Sequence, residues 1–217
     1  NLLADVIFAS LLSEGSISYL YYADRINQLP VGVFGVAIGT ALLPLLSKHI
    51  SAGAHSEAIP ILNRAIRISL FFAVPAMMAI FYLSFFIVEV LFERGLFTKE
   101  DTNLTAIALI GYASGLPAYI LIKVLSPSYF ARKNTSTPVK FAIFSVFLNI
   151  LLNFSLIWHF EHVGLAIATA ISAWFNVLLL IKGLVFRGWW APNTHLYIST
   201  IKIIFSSMLM ILLIFLA

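Results

Sequence analysis

Long apolar runs separated by short polar stretches make up most of this chain. The apolar residues are continuous along each run, whereas strands of a membrane β-barrel alternate apolar and polar residues over about ten positions. A helix satisfies its backbone hydrogen bonds within one segment, as lipid requires. The pattern therefore predicts helical spans over 1–13, 16–47, 57–82, 102–130, 138–159, 163–186 and 195–217, with a short separate piece over 84–94.

The composition is typical of a membrane protein. Of the 217 residues, 61% are hydrophobic and only 10% are charged, and the mean hydropathy is +1.01. A soluble domain carries about 25% charged residues, so this chain has more apolar surface than a water-exposed fold could bury. We therefore predict an all-α fold, a polytopic transmembrane helix bundle of about seven spans. A soluble enzyme and a disordered chain are excluded.

The polar residues exclude further classes of function. The chain is basic, with a net charge of +4, but its Lys and Arg residues form no basic face, so we expect no nucleic-acid partner. It has no Cys, and no catalytic triad order, phosphate loop or catalytic carboxylate pair stands out, so we expect no enzyme activity. The histidines lie near span ends without zinc-site spacing and are predicted to be surface residues: His49, His55, His159, His162 and His195.

The amino-terminal end has the character of an interrupted helix. No initiator Met and no basic segment precede the apolar run 1–13, which is too short to span a membrane and lacks the flanks of a signal peptide. We expect the sequence to begin inside a helix, as a piece of a longer chain. No linker is long enough to divide it, so we read one membrane domain.

The Lys and Arg residues predict the orientation. If successive helix ends alternate sides, nine of the 13 lie on one side, two (Arg94 and Lys99) on the other, and Arg25 and Lys123 lie within spans. The positive-inside rule makes the nine-residue side cytoplasmic. We therefore expect cytoplasmic exposure of Lys48–Ser56, Arg132–Thr137 and Arg187–Thr194, and outer exposure of Lys99–Asp101 and Glu161–His162.

Arg25 is the residue whose position is most costly in lipid. If its helix begins near Ser16, Arg25 lies roughly 13 Å inside, where a cation costs about 2.5–3.5 kcal/mol. A planar guanidinium binds two oxygens of a phosphate at once. We predict that Arg25 binds an anion in a wet cavity. The alternatives are a local pair with Asp24 and snorkelling to the outer interface.

Lys123 is the second cation within a span. It lies nine residues before Arg132, so roughly 13 Å from the cytoplasmic end. Its side chain either lines a cavity or snorkels toward the interface.

Proline and glycine residues follow Arg25 closely. Pro30 removes a backbone donor and kinks a helix, and Gly32 and Gly35 follow it. We predict a transport hinge over these three residues. The alternative for the glycines is close helix packing, which the spacing of Gly35 and Gly39 permits.

Four polar residues in different spans form a possible cation site. Asn149 and Asn153 are four residues apart and share one helix face, while Asp5 and Thr169 lie in the first and sixth spans. Carboxylate, amide and hydroxyl oxygens are hard ligands that suit a small cation such as Na⁺. The alternative is ordinary hydrogen bonding between helices.

Several motifs of the sequence occur together in one family. They are SYLYYADR at 18–25, LPVGVFGVA at 29–37, LLP at 42–44, LFERG at 91–95, KVLSP at 123–127, SYFAR at 128–132, TPVK at 137–140 and GLAIAT at 164–169. In this order, over nearly the whole chain, they resemble the signature of the MurJ/MviN lipid II flippases.

The resemblance implies a fold and a place within it. Members have fourteen spanning helices, in two six-helix lobes plus a final pair, and belong to the multidrug/oligosaccharidyl-lipid/polysaccharide exporter superfamily. This chain would hold helices seven to thirteen. Residues 1–187 would form the second lobe, its first helix truncated, and 188–217 a cytoplasmic loop and the first helix of the final pair. The amino-terminal lobe would be a missing partner.

The resemblance also implies a function without covalent chemistry. The chain would take part in flipping the undecaprenyl-pyrophosphate-linked peptidoglycan precursor, lipid II, across the bacterial inner membrane by alternating access. Arg25 matches a cavity-lining arginine of the family. We predict that Asp24 and Lys123 belong to the same substrate-binding site. Asp5, Asn149, Asn153 and Thr169 match a sodium site seen in some members, so Na⁺ is the one possible cofactor. The alternatives are a drug or polysaccharide-lipid exporter of the same superfamily, a non-transporting membrane scaffold and an inactive fragment.

Overall fold

The computed structural model describes residues 2–13 and 15–216, with only the backbone given for 2–5. Its helices are α1 (Leu2–Ala9), α2 (Ser16–Pro30), α3 (Ala37–Ser51), α4 (His55–Phe92), α5 (Lys99–Ala113), α6 (Leu116–Phe130), α7 (Ser136–Phe186) and α8 (Thr194–Leu216). A π-helical turn, Val31–Val36, joins α2 to α3. Within the described residues, five helical stretches are long and apolar enough to cross a membrane. The predicted all-α membrane bundle is thus confirmed.

The longest stretch, α7, is a helical hairpin. Its backbone leaves helical geometry at Glu161, with φ 47° and ψ −132°. A methyl group added at Gly164 would lie 2.7 Å from the carbonyl oxygen of Leu156. Residues eight apart on a straight helix are about 12 Å apart, so the chain reverses at Glu161. The two arms correspond to the predicted spans 138–159 and 163–186.

One predicted boundary is wrong. The short piece 84–94 is not separate, because α4 continues unbroken for 38 residues to Phe92. Ser84, at the start of the predicted piece, is buried within the packed helix. At 38 residues α4 is about 57 Å long and exceeds the roughly 30 Å of a bilayer core. Part of α4 therefore extends beyond the membrane.

The helices α5 and α6 form the centre of the bundle. The chain bends between them at Ser114 and Gly115, just before Pro117. Their buried side chains contribute to two apolar clusters. One includes Leu125 and Tyr129 with residues of α3, α4 and α7, and the other includes Leu109 with residues of α1, α2 and α4. By contrast, α8 packs along α4 and leaves most of its surface uncovered.

Candidate substrate cavity and cation site

Arg25 lies nine residues into α2, on a side of the helix that the described bundle does not cover. Its guanidinium lies over the ring of Tyr21, 4.6 Å from the ring centroid, one turn earlier. Asp24 accepts a hydrogen bond from Gln28, one turn later on the same helix. A cation that a neighbouring ring orients but leaves exposed can bind an anion arriving from outside this bundle.

The backbone changes geometry directly after this segment. Pro30 ends α2, and the following turn, Val31–Val36, is π-helical. Such turns are common at functional sites and at bends in helices. Gly32 faces open space, whereas Gly35 is buried. The structure thus locates the three predicted hinge residues at an irregular turn, and the hinge motion itself stays a prediction.

Lys123 packs against the glycines rather than against Arg25. A Cβ atom added at Gly39 would lie 2.5 Å from the Lys123 carbonyl oxygen, and one at Gly35 would lie 3.5 Å from its Cγ. Close helix packing at Gly35 and Gly39, the alternative given for these glycines, is therefore confirmed. Gly35 lies ten residues after Arg25, about 15 Å along the helix axis. The two cations consequently lie at different depths, although both side chains are exposed.

Three of the four predicted cation ligands lie close together in the α7 hairpin. The Nδ2 atom of Asn149 donates to Thr169 Oγ1 at 3.2 Å, and Asn149 and Asn153 are fully buried. Among the described residues, no hydrogen-bond donor reaches Asn149 Oδ1. A buried amide oxygen of this kind suits a small hard cation. The backbone of Asp5 lies in α1, which packs on α7, but its side chain lies outside the described residues.

A polar cluster at the predicted outer end was not anticipated. Tyr19 of α2 donates a 2.7 Å hydrogen bond to Asp101 of α5, and Asp101 also caps α5 in a capping box with Thr98. The ring of Tyr19 lies 5.6 Å from that of His162. The prediction that His162 is a surface residue is wrong, because it is 4% exposed and contacts the Leu104 carbonyl oxygen at 3.1 Å. The three-residue spacing of Thr98 and Asp101 was the sequence signal for this capping box.

A second unanticipated cluster fixes the segment that leads into α8. Asn63 of α4 donates to the Ala191 carbonyl oxygen at 3.1 Å and accepts from Trp190 Nε1 at 2.8 Å. Nearby, Arg132 stacks on Trp189 and donates to its carbonyl oxygen at 3.4 Å. Burial lowers the pKa of Arg132, but a guanidinium remains protonated. The sequence signal for this cluster was Asn63, the one asparagine within the predicted span 57–82.

Three of the predicted cytoplasmic segments meet at this end of the bundle. One cavity is lined by Ile50, His55, Arg132, Gly188 and Trp189. The sequence therefore groups these segments correctly, while the side of the membrane on which they lie stays a prediction.

Within the described residues, five helical stretches long and apolar enough to cross a membrane, with irregular geometry at Val31–Val36 and at Glu161, define a polytopic membrane protein. The family model described as "Lipid II flippase MurJ" matches residues 1–217. The chain belongs to the MurJ family. As a member, it is a multi-span protein of the bacterial inner membrane.

Curated relatives and solved structures agree with this assignment. The chain is 44% identical over 190 residues to the probable lipid II flippase MurJ of Vibrio cholerae, covering 87% of this chain and 36% of that protein. It is 40% identical over 210 residues to the probable lipid II flippase MurJ of Rhizobium meliloti, covering 97% and 39%. The chain thus spans well under half the length of the curated relatives that it matches.

The chain is also similar to a solved lipid II flippase MurJ in an inward closed conformation, with TM-score 0.86 and 34% identity. The match covers 98% of this chain and 43% of the solved chain. An inward-facing multidrug-resistance MATE family transporter of the MOP superfamily has TM-score 0.72 at 16% identity, covering 94% of this chain and 48% of its own. The second match concerns the fold alone.

Proposed function

We propose that this chain provides part of a lipid II flippase, moving the undecaprenyl-pyrophosphate-linked peptidoglycan precursor across the inner membrane by alternating access. The names of its relatives support this substrate. Because the chain spans only 36% to 39% of the length of these relatives, the proposal also includes an amino-terminal lobe that forms the other half of the cavity.

The position of Arg25 is the observation that carries the proposal. A pyrophosphate is a multiply charged anion, so its burial in a membrane requires cationic, hydrogen-bonding partners. Arg25 lies nine residues into α2, at the predicted membrane depth, and is exposed in the described bundle, so its guanidinium can donate to phosphate oxygens. Lys123, at a different depth, would contact the substrate at another stage of its passage, and Asp24 would orient the segment around Arg25.

No bond in the substrate is made or broken under this proposal. The chain's work is to bind, reorient and release a lipid, with bending at Pro30, Gly32 and Gly35 opening the cavity to each side in turn. An enzyme role is therefore not part of the proposal.

Complementation of a flippase-depleted bacterial strain by the intact protein tests the proposal. Arg25→Ala should abolish growth at normal membrane levels because both charge and donors are lost. Arg25→Lys should support partial growth because it keeps the charge without the planar fork. Loss of one charge-assisted contact, about 1.5–3 kcal/mol, corresponds to roughly tenfold to hundredfold slower transport.

Arg94→Ala is the matched control, since Arg94 is an exposed arginine at the predicted outer end. It should support full growth. Full growth with Arg25→Ala at normal levels would contradict the role of Arg25 and favour a non-transporting scaffold. Binding of cationic drugs in preference to lipid II would favour a drug exporter of the same superfamily.

We further infer that Na⁺ is the coupling ion and that Asn149, Asn153 and Thr169 hold it together with Asp5. The support is the fully buried Asn149, whose Oδ1 accepts no hydrogen bond within the described residues. Leaving such an oxygen unpaired costs about 1–3 kcal/mol, which a bound cation would offset. Ion binding would add a bond between the two arms of α7 and so bias the conformation of the lobe.

A further inference from the structure

A groove between α4 and α8 has no role in the function proposed above. It has a volume of about 520 Å³ and opens at the surface of the bundle. Apolar residues line most of its length, including Phe71 and Pro75 of α4 and Ile203 and Met210 of α8. Both helices run from the predicted cytoplasmic end toward the outer end, so the groove follows the direction of the lipid chains around it.

The cytoplasmic end of the groove is basic. Arg67 of α4 and Lys202 of α8 both line it, and Ser199 lies one turn before Ile203 on the same wall. In the part of the chain that the structure describes, neither cation forms an ion pair with a carboxylate. Two cations facing one groove repel each other, so an anion placed between them would be bound favourably.

The contacts of Arg67 leave most of its donors available. Its Nη1 atom lies 2.9 Å from Nδ1 of His195, and Ser199 Oγ lies 3.2 Å from the same nitrogen. A guanidinium can only donate, so His195 Nδ1 is the acceptor of this hydrogen bond. His195 thus fixes the guanidinium at the groove without neutralising it. The remaining N–H groups of the planar fork can bind phosphate oxygens.

The two parts of the groove match the two parts of a phospholipid. Lys202 lies eight residues after Thr194, roughly 12 Å into α8, and Met210 lies a further 12 Å along. A phosphate at Arg67 and Lys202 would therefore lie in the cytoplasmic half of α8, while an acyl chain follows the apolar wall toward the outer end. Basic sites between helices on the cytoplasmic side are typical of binding sites for anionic lipid head groups.

We propose that this groove binds an anionic glycerophospholipid of the cytoplasmic leaflet, with its phosphate on Arg67 and Lys202 and one acyl chain along Phe71 and Ile203. The occupant is a resident membrane lipid rather than the transported precursor. Because α8 contacts the rest of the bundle mainly through α4, such a lipid would bridge the two helices at the groove. The proposal does not depend on the identity of the transported substrate.

Native mass spectrometry of the intact protein tests this site. The protein is released from vesicles of equal parts phosphatidylcholine and phosphatidylglycerol, and retained lipids are counted. Wild-type protein should retain phosphatidylglycerol in preference to phosphatidylcholine. The double variant Arg67→Gln with Lys202→Gln should bind phosphatidylglycerol at least about tenfold more weakly, since each cation near a lipid surface contributes roughly 1 kcal/mol.

Two controls separate the site from general charge and from folding. Lys140→Gln with Lys182→Gln removes two exposed lysines of α7, also on the predicted cytoplasmic side, and should bind phosphatidylglycerol as wild type does. Arg67→Lys keeps the charge and should retain most of the binding. If the double variant at Arg67 and Lys202 loses binding while Arg67→Lys retains it, misfolding does not explain the loss.

Three results would overturn the proposal. One is equal retention of phosphatidylglycerol by wild type and by the double variant at Arg67 and Lys202. Another is an equal loss in the Lys140 and Lys182 control, which would mean general surface attraction. The third is one-for-one displacement of phosphatidylglycerol by added lipid II, which would assign the groove to the transported precursor.

Discussion

At the scale of single residues, two kinds of group are unusual in this bundle: buried side-chain oxygen atoms and cations within predicted membrane spans. Asn149 and Arg25 illustrate the two cases: one is fully buried and the other exposed. A buried amide oxygen needs a partner, and an exposed guanidinium within lipid needs a wet surface. Under the two proposals above, species that the protein binds meet both requirements.

The sodium proposal predicts an ion-specific stabilisation at Asn149. Na⁺ should raise the melting temperature of the purified intact protein by several degrees over choline at equal ionic strength, because a ligand at 100 times its Kd stabilises by about 2.7 kcal/mol. Asn149→Ala should remove this difference. Ser145→Ala is the matched control, since Ser145 lies one turn earlier and its hydroxyl already donates to the Phe141 carbonyl oxygen at 2.8 Å.

The melting temperature is measured by differential scanning fluorimetry in both salts. An Na⁺ effect that persists in Asn149→Ala, or that is absent from wild type, would contradict the site. The measurement needs no transport assay, so it tests the ion independently of the substrate.

At the scale of elements, α8 depends on the segment that precedes it. This helix buries few of its own side chains, with Leu196 and Ser207 the buried residues along it. Asn63 instead binds the preceding segment through Trp190 and Ala191, and Arg132 adds its contact with Trp189. The position of α8 beside α4, and with it the basic groove, therefore follows partly from contacts outside the helix.

Removal of the Asn63 side-chain amide should loosen this segment. Asn63→Ala leaves Trp190 Nε1 and the Ala191 carbonyl oxygen without their partner, at a cost of about 1–3 kcal/mol. We expect trypsin to cleave after Arg187 roughly tenfold faster, as followed by gel electrophoresis of the intact protein in detergent. Asn103→Ala, which changes an exposed asparagine of α5, should leave cleavage unchanged. Equal cleavage of the two variants would contradict this role of Asn63.

At the scale of the whole molecule, two sets of contacts define two ends of the bundle. Tyr19, Asp101 and His162 meet at one end, and Arg132, Trp189 and Asn63 lie toward the other. The nine-to-two distribution of Lys and Arg predicts that the second end is cytoplasmic. The groove proposal depends on this orientation, since the groove must open to the inner leaflet.

Single-cysteine labelling in intact cells tests the orientation. The chain has no native Cys, so a membrane-impermeant maleimide should label Lys99→Cys and not Ser56→Cys. Both positions are exposed, and Ser56→Cys should become reactive once the cells are lysed. Labelling of Ser56→Cys in intact cells would reverse the orientation and remove the basis of the groove proposal.

The sequence alone determines the membrane class, most of the spans and the family. Lipid removes water from the backbone, so a continuous apolar run such as 163–186 has to be helical whatever its neighbours are. The motif around Arg25 and the later motifs occur in order, which is sufficient to predict the family. These signals are local in the chain, and no tertiary contact is needed to read them.

The tertiary structure alone decides which distant residues meet. Tyr19 and Asp101 are 82 positions apart, and Asn63 and Trp190 are 127 apart, so no local pattern shows that they are bonded. His162 has the sequence environment of a surface histidine and is buried because α2 and α5 pack over it. The basic groove likewise needs Arg67 and Lys202 on facing helices. Helix formation depends on nearby residues and solvent, whereas these sites depend on how finished helices pack.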